Sequence, residues 1–284
     1  MQIESIAENL FFTTVRIDTV DAAGNVGSGT GFLYAHHYST TQHAAFVVTN
    51  KHVVQGMRGG AITFHRRKDD KPDLGNGFRC EITDWNTAWF GHPSPDVDIA
   101  IMPFVPVERN AKEMFGIDLF YRYIEDAMLV QDSQAELLDA IESVTFIGYP
   151  NGVWDRRNLM PVARRGTTAT PLSVDFEGTP RFVIDASVFG GSSGSPVFIV
   201  NQGMFSDKRG NTSIGSRVLF IGVVAAVFFR TAVNEVISIP IPTHTRQVTA
   251  QQEMIDLGIV FKARTVLETI KAFIAANPHR FPTA

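Results

Sequence analysis

A single cysteine, Cys80, stands among 284 residues, so no disulfide can form within the chain. That scarcity fits a reducing compartment, where disulfides do not persist. Long hydrophobic runs are missing too. The longest, Val218 to Phe229, holds 12 residues and is interrupted by Gly222, whereas a membrane-spanning helix needs about 20. The opening Met1-Gln2-Ile3-Glu4-Ser5-Ile6 has no basic stretch followed by an apolar one, so no secretory signal is expected and a cytoplasmic setting is. Charge is sparse: 25 Lys and Arg against 29 Asp and Glu leave a net −4, and charged residues reach only 19%, below the usual share of about 25%. A disordered tail, a coiled coil and a global attraction to nucleic acid or anionic membrane are thereby excluded. What is plentiful is hydrophobic material, 44% of the chain with 22 Phe. That suffices for one large domain or two small ones, each with its own core.

Most of the chain reads as short strands between turn signals. Phe11 to Ile17 is β-branched and aromatic and stops at the turn cluster Asp21 to Asn25. Strands follow at Gly31–Tyr34, Ala45–Thr49 and Ala61–Phe64, then, after a charged loop from His65 to Gly77, at Phe78–Ile82 and Ile99–Phe104. The pattern loosens from Val107 to Ser143, where Ser133 and Glu136 predict a capped helix running through Leu137, Leu138 and Ile141. Strand signals return at Val144–Tyr149, Arg181–Ile184, Pro196–Val200 and Val218–Phe229. The chain closes on a predicted helix, Thr265 to Asn277, with a capping pair Thr265 and Glu268 and apolar residues at helical spacing. There is no internal repeat. The spacing predicts an all-β protein: residues 1–106 as one β unit, 107–143 as a partly helical connector, 144–262 as a second β unit, and 263–284 as a helix and tail.

Three blocks carry chemistry. Phe189-Gly190-Gly191-Ser192-Ser193-Gly194-Ser195-Pro196 is a glycine–serine turn between two strands, which holds a hydroxyl out of a sheet and can aim the N–H groups of Gly191 and Ser193 at one point. Phe46 to Val54 sets His52 just after a buried strand, and Asp96-Val97-Asp98-Ile99 sets carboxylates at the mouth of another. Nucleophile, base and orienting acid are what acyl transfer requires. The same turn also contains Gly190-Gly191-Ser192-Ser193-Gly194, a nucleophile-elbow pattern centred on Ser192, which needs a helix after the turn; the residues after it read as strand. His36, His37 and His43 have no partner at metal-ligand spacing, so no metal is expected, and Cys80 reads as a small buried residue. The basic run His65-Arg66-Arg67-Lys68 is followed at once by Asp69-Asp70 and reads as a solvated loop rather than a nucleic-acid patch. Trp154, Arg156 and Arg164-Arg165-Gly166 fall in an apparent loop region after Pro150.

The ordered His, Asp and Ser blocks resemble those of trypsin-like serine peptidases of the chymotrypsin fold, most closely bacterial, disulfide-free members such as the Deg-type proteases. Ser28-Gly29-Thr30-Gly31-Phe32 resembles the glycine-rich first hairpin of that family. Phe146-Ile147-Gly148-Tyr149-Pro150 resembles the opening strand of its second barrel, and Gly222 to Ala226 the strand that pairs with substrate. The resemblance implies two antiparallel six-stranded β-barrels and a serine endopeptidase without metal or organic cofactor. It assigns Ser193 as nucleophile, His52 as general base, Asp98 rather than Asp96 as orienting acid, and Gly191 and Ser193 as the oxyanion hole. Ser187, Phe189, Val224, Ala225 and Ala226 would bind substrate, with an apolar wall suited to cleavage after small or medium apolar residues. A protein or peptide is the implied substrate. Ser192 stands where secreted zymogens carry an aspartate, so ordering of the site is expected constitutively or through a regulatory protein partner. Only about 20 residues follow Lys262, too few for a PDZ domain. A protease fold kept as a peptide-binding module is the alternative reading.

Overall fold

A computed structural model describes residues 2–39, 42–150, 153–236 and 247–281, with side chains described outside 229–254. Met1 and the last three residues of the expected tail lie outside the described residues. The chain opens with helix α1 (Ile6–Phe11), whose N-terminus is closed reciprocally by Ser5 and Glu8. Then come β1 (Thr14–Asp21), β2 (Val26–His37), β3 (His43–Thr49), α2 (Lys51–Val54), β4 (Met57–Lys68) and β5 (Lys71–Glu81). They are followed by α3 (Trp85–Ala88), β6 (Phe90–Gly91), β7 (Ala100–Pro103), α4 (Val105–Phe115), β8 (Leu119–Phe120) and β9 (Ile124–Glu125). Hydrogen bonding runs in the order β5-β4-β1-β2-β3-β7-β6, with β8 on β4 and β9 on β2. The first unit is thus a nine-stranded sheet, with more strands than the six expected but consistent with the expected double-barrel fold. Its inner face buries Val15, Ile17, Leu33, Val47, Ile62, Phe64 and Phe104. The segment His65 to Gly77, expected as a loop, is instead the end of a long β4–β5 hairpin. Asp69 and Asp70 turn it with φ of 49° and 56°, the paired left-handed geometry that a two-residue hairpin needs. Arg66, Arg67 and Lys68 face solvent from its arm, whereas His65 is buried.

The second unit begins after a one-turn helix, α5 (Asp132–Ala135), and contains β10 (Ser143–Gly148), β11 (Val162–Thr168), β12 (Arg181–Asp185) and β13 (Pro196–Asn201). A small hairpin, β14 (Met204–Ser206) and β15 (Thr212–Ile214), precedes the long strands β16 (Arg217–Val236) and β17 (Gln247–Lys262). Six of these close a barrel in the order β10-β11-β12-β17-β16-β13, with every pairing antiparallel. Phe146, Phe182, Ile184, Val197, Ile199, Ile221 and Val260 fill it. The stretch expected as loop around Arg164 is the strand β11.

Helix expectations fared less well. The predicted helix through Ile141 stops at Ala135, because Leu138 turns into the barrel core while Leu137 and Ile141 stay exposed, which no single helical face allows. The longest connector helix, α4, buries only Val107 and Ala111 and so has little apolar periodicity to betray it. It also runs across the expected boundary at residue 106. The final helix, α6 (Arg264–Ala276), starts one residue before Thr265. Thr265 is buried inside it and donates its hydroxyl to the Lys262 carbonyl (2.8 Å), so it is not the cap. α6 docks on the first unit: Phe273 meets the rings of Phe46 and Phe90 at centroid distances of 5.5 and 5.4 Å. A third core joins the units, where Phe32 and Tyr34 of β2 face Phe198 and Phe220 of the barrel. No helix among the described residues is long and apolar enough to cross a membrane.

Candidate active site

His52 owes its position to its neighbours. In Lys51-His52-Val53-Val54 the two valines are buried and pin α2 to the sheet, and Trp85 Nε1 donates to the Val54 carbonyl (2.8 Å). His52 is left half exposed, at 50% of its side chain. Asp98 is presented by alternation, because Val97 and Ile99 on either side point inward. Its Oδ2 lies 2.5 Å from His52 Nδ1, and its Oδ1 accepts the His52 backbone N–H at 3.0 Å. One carboxylate thus grips both ring and backbone of the histidine. Asn50 Nδ2 donates to the Asp98 carbonyl (2.7 Å) and Lys51 Nζ to the Ser94 carbonyl (2.7 Å), which fastens the aspartate loop to α2. Asp96 is exposed and has no bond to His52. A neutral imidazole in this grip carries its proton on Nδ1 and offers Nε2 as a base.

The serine turn is shaped by Gly194, at φ +87°, where a Cβ would collide with the Thr30 carbonyl oxygen. Only glycine allows that approach. Ser192 and Ser195 are buried and Ser193 is half-buried. The turn closes through Ser192 N–H to Phe189 carbonyl (3.0 Å) and Ser195 N–H to Ser192 carbonyl (2.9 Å). The N–H groups of Gly191 and Ser193 have no protein acceptor among the described residues, so both are free to meet a developing oxyanion. The Ser193 hydroxyl donates to the Ala225 carbonyl at 3.3 Å, and no hydrogen bond joins it to His52. Beyond the turn the chain is the strand β13, not the helix that an elbow on Ser192 demands.

Sequence reasoning missed Thr30. Its N–H donates to the Ser193 carbonyl (2.9 Å), and its hydroxyl donates to the Gly191 carbonyl (3.0 Å) while accepting from the Tyr149 N–H (3.0 Å). Its carbonyl accepts from the Thr49 hydroxyl (2.7 Å), three residues before His52. One threonine therefore links the histidine-bearing strand, the serine turn and the mouth of the second barrel. The visible signal was a hydroxyl residue wedged between Gly29 and Gly31 in a strand.

The expected substrate walls are only partly free. Ser187 and Phe189 are half-buried in the segment between β12 and the turn. Val224 is buried, its N–H bonded to the Ser195 carbonyl (2.9 Å) and its carbonyl to the Gly194 N–H (2.8 Å), so its backbone is not open to an added substrate strand. Ala225 sits at a bulge where β16 slips against β17, which re-aims its carbonyl toward Ser193. Ala226, beyond the bulge, is exposed. The wall expected from Val224 to Ala226 thus reduces to Ala225 and Ala226.

Among solved structures, the chain is similar to an inactivated protease paralogue of the scabies mite, at 13% identity over 94% of this chain and 97% of that one, with a TM-score of 0.41. It is also similar to GrC, at 13% identity over 76% and 92% of the two chains, with a TM-score of 0.40. No curated protein matches the chain significantly. The family model for the trypsin-like peptidase domain matches residues 29–205, from the first glycine-rich strand through the serine turn and more than half of the chain. This chain belongs to the trypsin-like peptidase domain family.

Proposed function

We propose that this protein is a serine endopeptidase that cleaves protein or peptide substrates through an acyl-enzyme on Ser193. The observation that carries the reading is the double grip of Asp98 on His52, at 2.5 Å to the ring and 3.0 Å to the backbone, beside a glycine turn bearing Ser193. In the reaction the Ser193 hydroxyl rotates from the Ala225 carbonyl to His52 Nε2. Its oxygen attacks the scissile carbonyl as the proton passes to the imidazole, and Asp98 stabilises the resulting imidazolium. The N–H groups of Gly191 and Ser193 receive the oxyanion, each contributing about 3 kcal/mol to the transition state. His52 then gives its proton to the leaving amine, and water repeats the sequence to free the acid. That the serine starts away from the histidine is compatible with this role, because catalytic hydrogen bonds commonly tighten only with substrate in place. Buried, unpaired Cys80 fits a cytoplasmic setting.

The same serine–alanine bond favours a second reading, a peptide-binding module that retains the fold with little or no catalysis. A fluorophosphonate probe on the purified protein separates the two. Stoichiometric labelling at Ser193, abolished by His52→Ala, is the expected result; unlabelled protein overturns the peptidase.

A further inference from the structure

Arg164 occupies an unusual place for an arginine. It sits on β11 directly opposite Phe146 of β10, a residue of the barrel core, and its guanidinium lies 5.6 Å from the Phe146 ring centroid. The same guanidinium covers the ring of Phe189 at 4.8 Å. Phe189 is four residues before Ser193, and its carbonyl holds the Ser192 N–H. Gly166, two residues on and on the same face of β11, abuts Asp185 and Ala186, so this face of the strand runs along the segment that leads into Ser187 and Phe189. The nearest acidic influence is Asp256, whose carbonyl accepts the Ala186 N–H at 2.9 Å. Among the described residues Arg164 forms no ion pair, and its Nη1 is buried without a hydrogen-bond partner. Aromatic faces attract a guanidinium but accept none of its in-plane N–H bonds. Arg164 as a whole is half-buried, and a guanidinium with one buried, unused donor gains from an anion that engages it.

We propose that Arg164 sets the specificity of the Ser193 site by binding a carboxylate side chain on the residue whose carbonyl is attacked, so that cleavage follows Glu or Asp. The inference rests on the peptidase reading and replaces the apolar preference drawn from Val224, Ala225 and Ala226, in which Arg164 counts only as one of several basic residues of a loop after Pro150. A planar guanidinium suits a carboxylate because two parallel N–H donors match its two oxygens. Phe146 and Phe189 would hold that plane in place, and Asp256 would balance the charge while the site is empty.

Two measurements test it. Peptides that differ only at the attacked residue, as Glu, Gln, Ala, Leu or Lys, are compared by kcat/KM. The expected preference for Glu over Gln is roughly tenfold to a hundredfold, the scale of a hydrogen bond to a charged group. Arg164→Met should erase that preference while keeping a side chain long enough to pack on both rings. A wild type that prefers Ala or Leu, or an Arg164→Met variant with an unchanged ranking, overturns the inference. The second measurement needs no turnover: fluorescent peptides ending in Glu or Gln are titrated onto wild type and Arg164→Met and followed by anisotropy. Tighter binding of the Glu peptide by wild type alone supports the assignment, and equal binding of both peptides overturns it. Failure of the peptidase reading shows separately, as loss of fluorophosphonate labelling.

Discussion

At the scale of single residues, Thr30 ties together what the catalytic pieces cannot hold alone. Thr30→Ala would orphan the Tyr149 N–H and the Gly191 carbonyl in a buried setting, at a cost of about 1–3 kcal/mol. Since Gly191 belongs to the turn proposed to bind the oxyanion, kcat should fall with little change in KM, and Thr30→Ser, which keeps the hydroxyl, should restore most of it. A loss confined to thermal stability, with kcat intact, would make Thr30 merely structural. The two aspartates are separable in the same way: Asp98→Asn should lower turnover by about 10⁴-fold, as loss of the orienting acid does elsewhere, and Asp96→Asn only slightly. His65 offers a pH prediction. Burial pushes its pKa from 6.5 to about 4, against a weaker opposing effect of the Leu159 backbone. Between those values the unfolded chain binds a proton that the folded one refuses, so stability is full above pH 6.5 and declines as pH falls toward 4. The loss amounts to up to about 3 kcal/mol. Urea melts at pH 7 and pH 4.5 should show it in the wild type, and His65→Leu should lack this component. Ser193, His52 and Asp98 could be singled out from sequence because their chemistry is rare in combination. Thr30 could not, and Arg164 only as a basic residue in an expected loop, since the contacts of each come from residues that the fold brings in from elsewhere along the chain.

At the scale of elements, strands with alternating or continuous apolar residues were readable, as in Ala45–Thr49 or Pro196–Val200. β11 and most of β17 were not. Val162–Thr168 places two arginines and a glycine in a strand of the barrel, and propensity alone rejects that composition. Tertiary pairing overrides it through six register partners on β10. Helices failed for the opposite reason. The Ser133–Glu136 capping pattern was locally plausible, but Leu138 is worth more inside the barrel than on a helix. α6 was legible by its periodicity, though not its destination on the first unit. Phe273 carries that docking, so Phe273→Ala should destabilise the protein by about 3–5 kcal/mol in denaturant melts. An effect below about 1 kcal/mol would mean that the helix is held by its other contacts.

At the scale of the whole molecule, the two β units and their order were legible, because turn signals at short intervals leave few alternatives. The strand count of the first sheet was not, since short additions such as β8 and β9 depend on edge pairing that no pattern encodes. The proposed catalytic groups are divided between the units: His52 and Asp98 belong to the first, Ser193 to the second, and a buried aromatic seam of Phe32, Tyr34, Phe198 and Phe220 lies between. The barrel that carries Ser193 closes only when β17 pairs with β12 and β16, and β17 is the last of its strands among the described residues. A ribosome makes His52 and Asp98 well before that closing strand, and domains generally fold in the order they emerge. Between those two points of synthesis the growing polypeptide holds the proposed base and acid with no shaped serine to serve. If Ser193 is the nucleophile proposed above, the order of translation itself withholds the attacking group until the second barrel has closed.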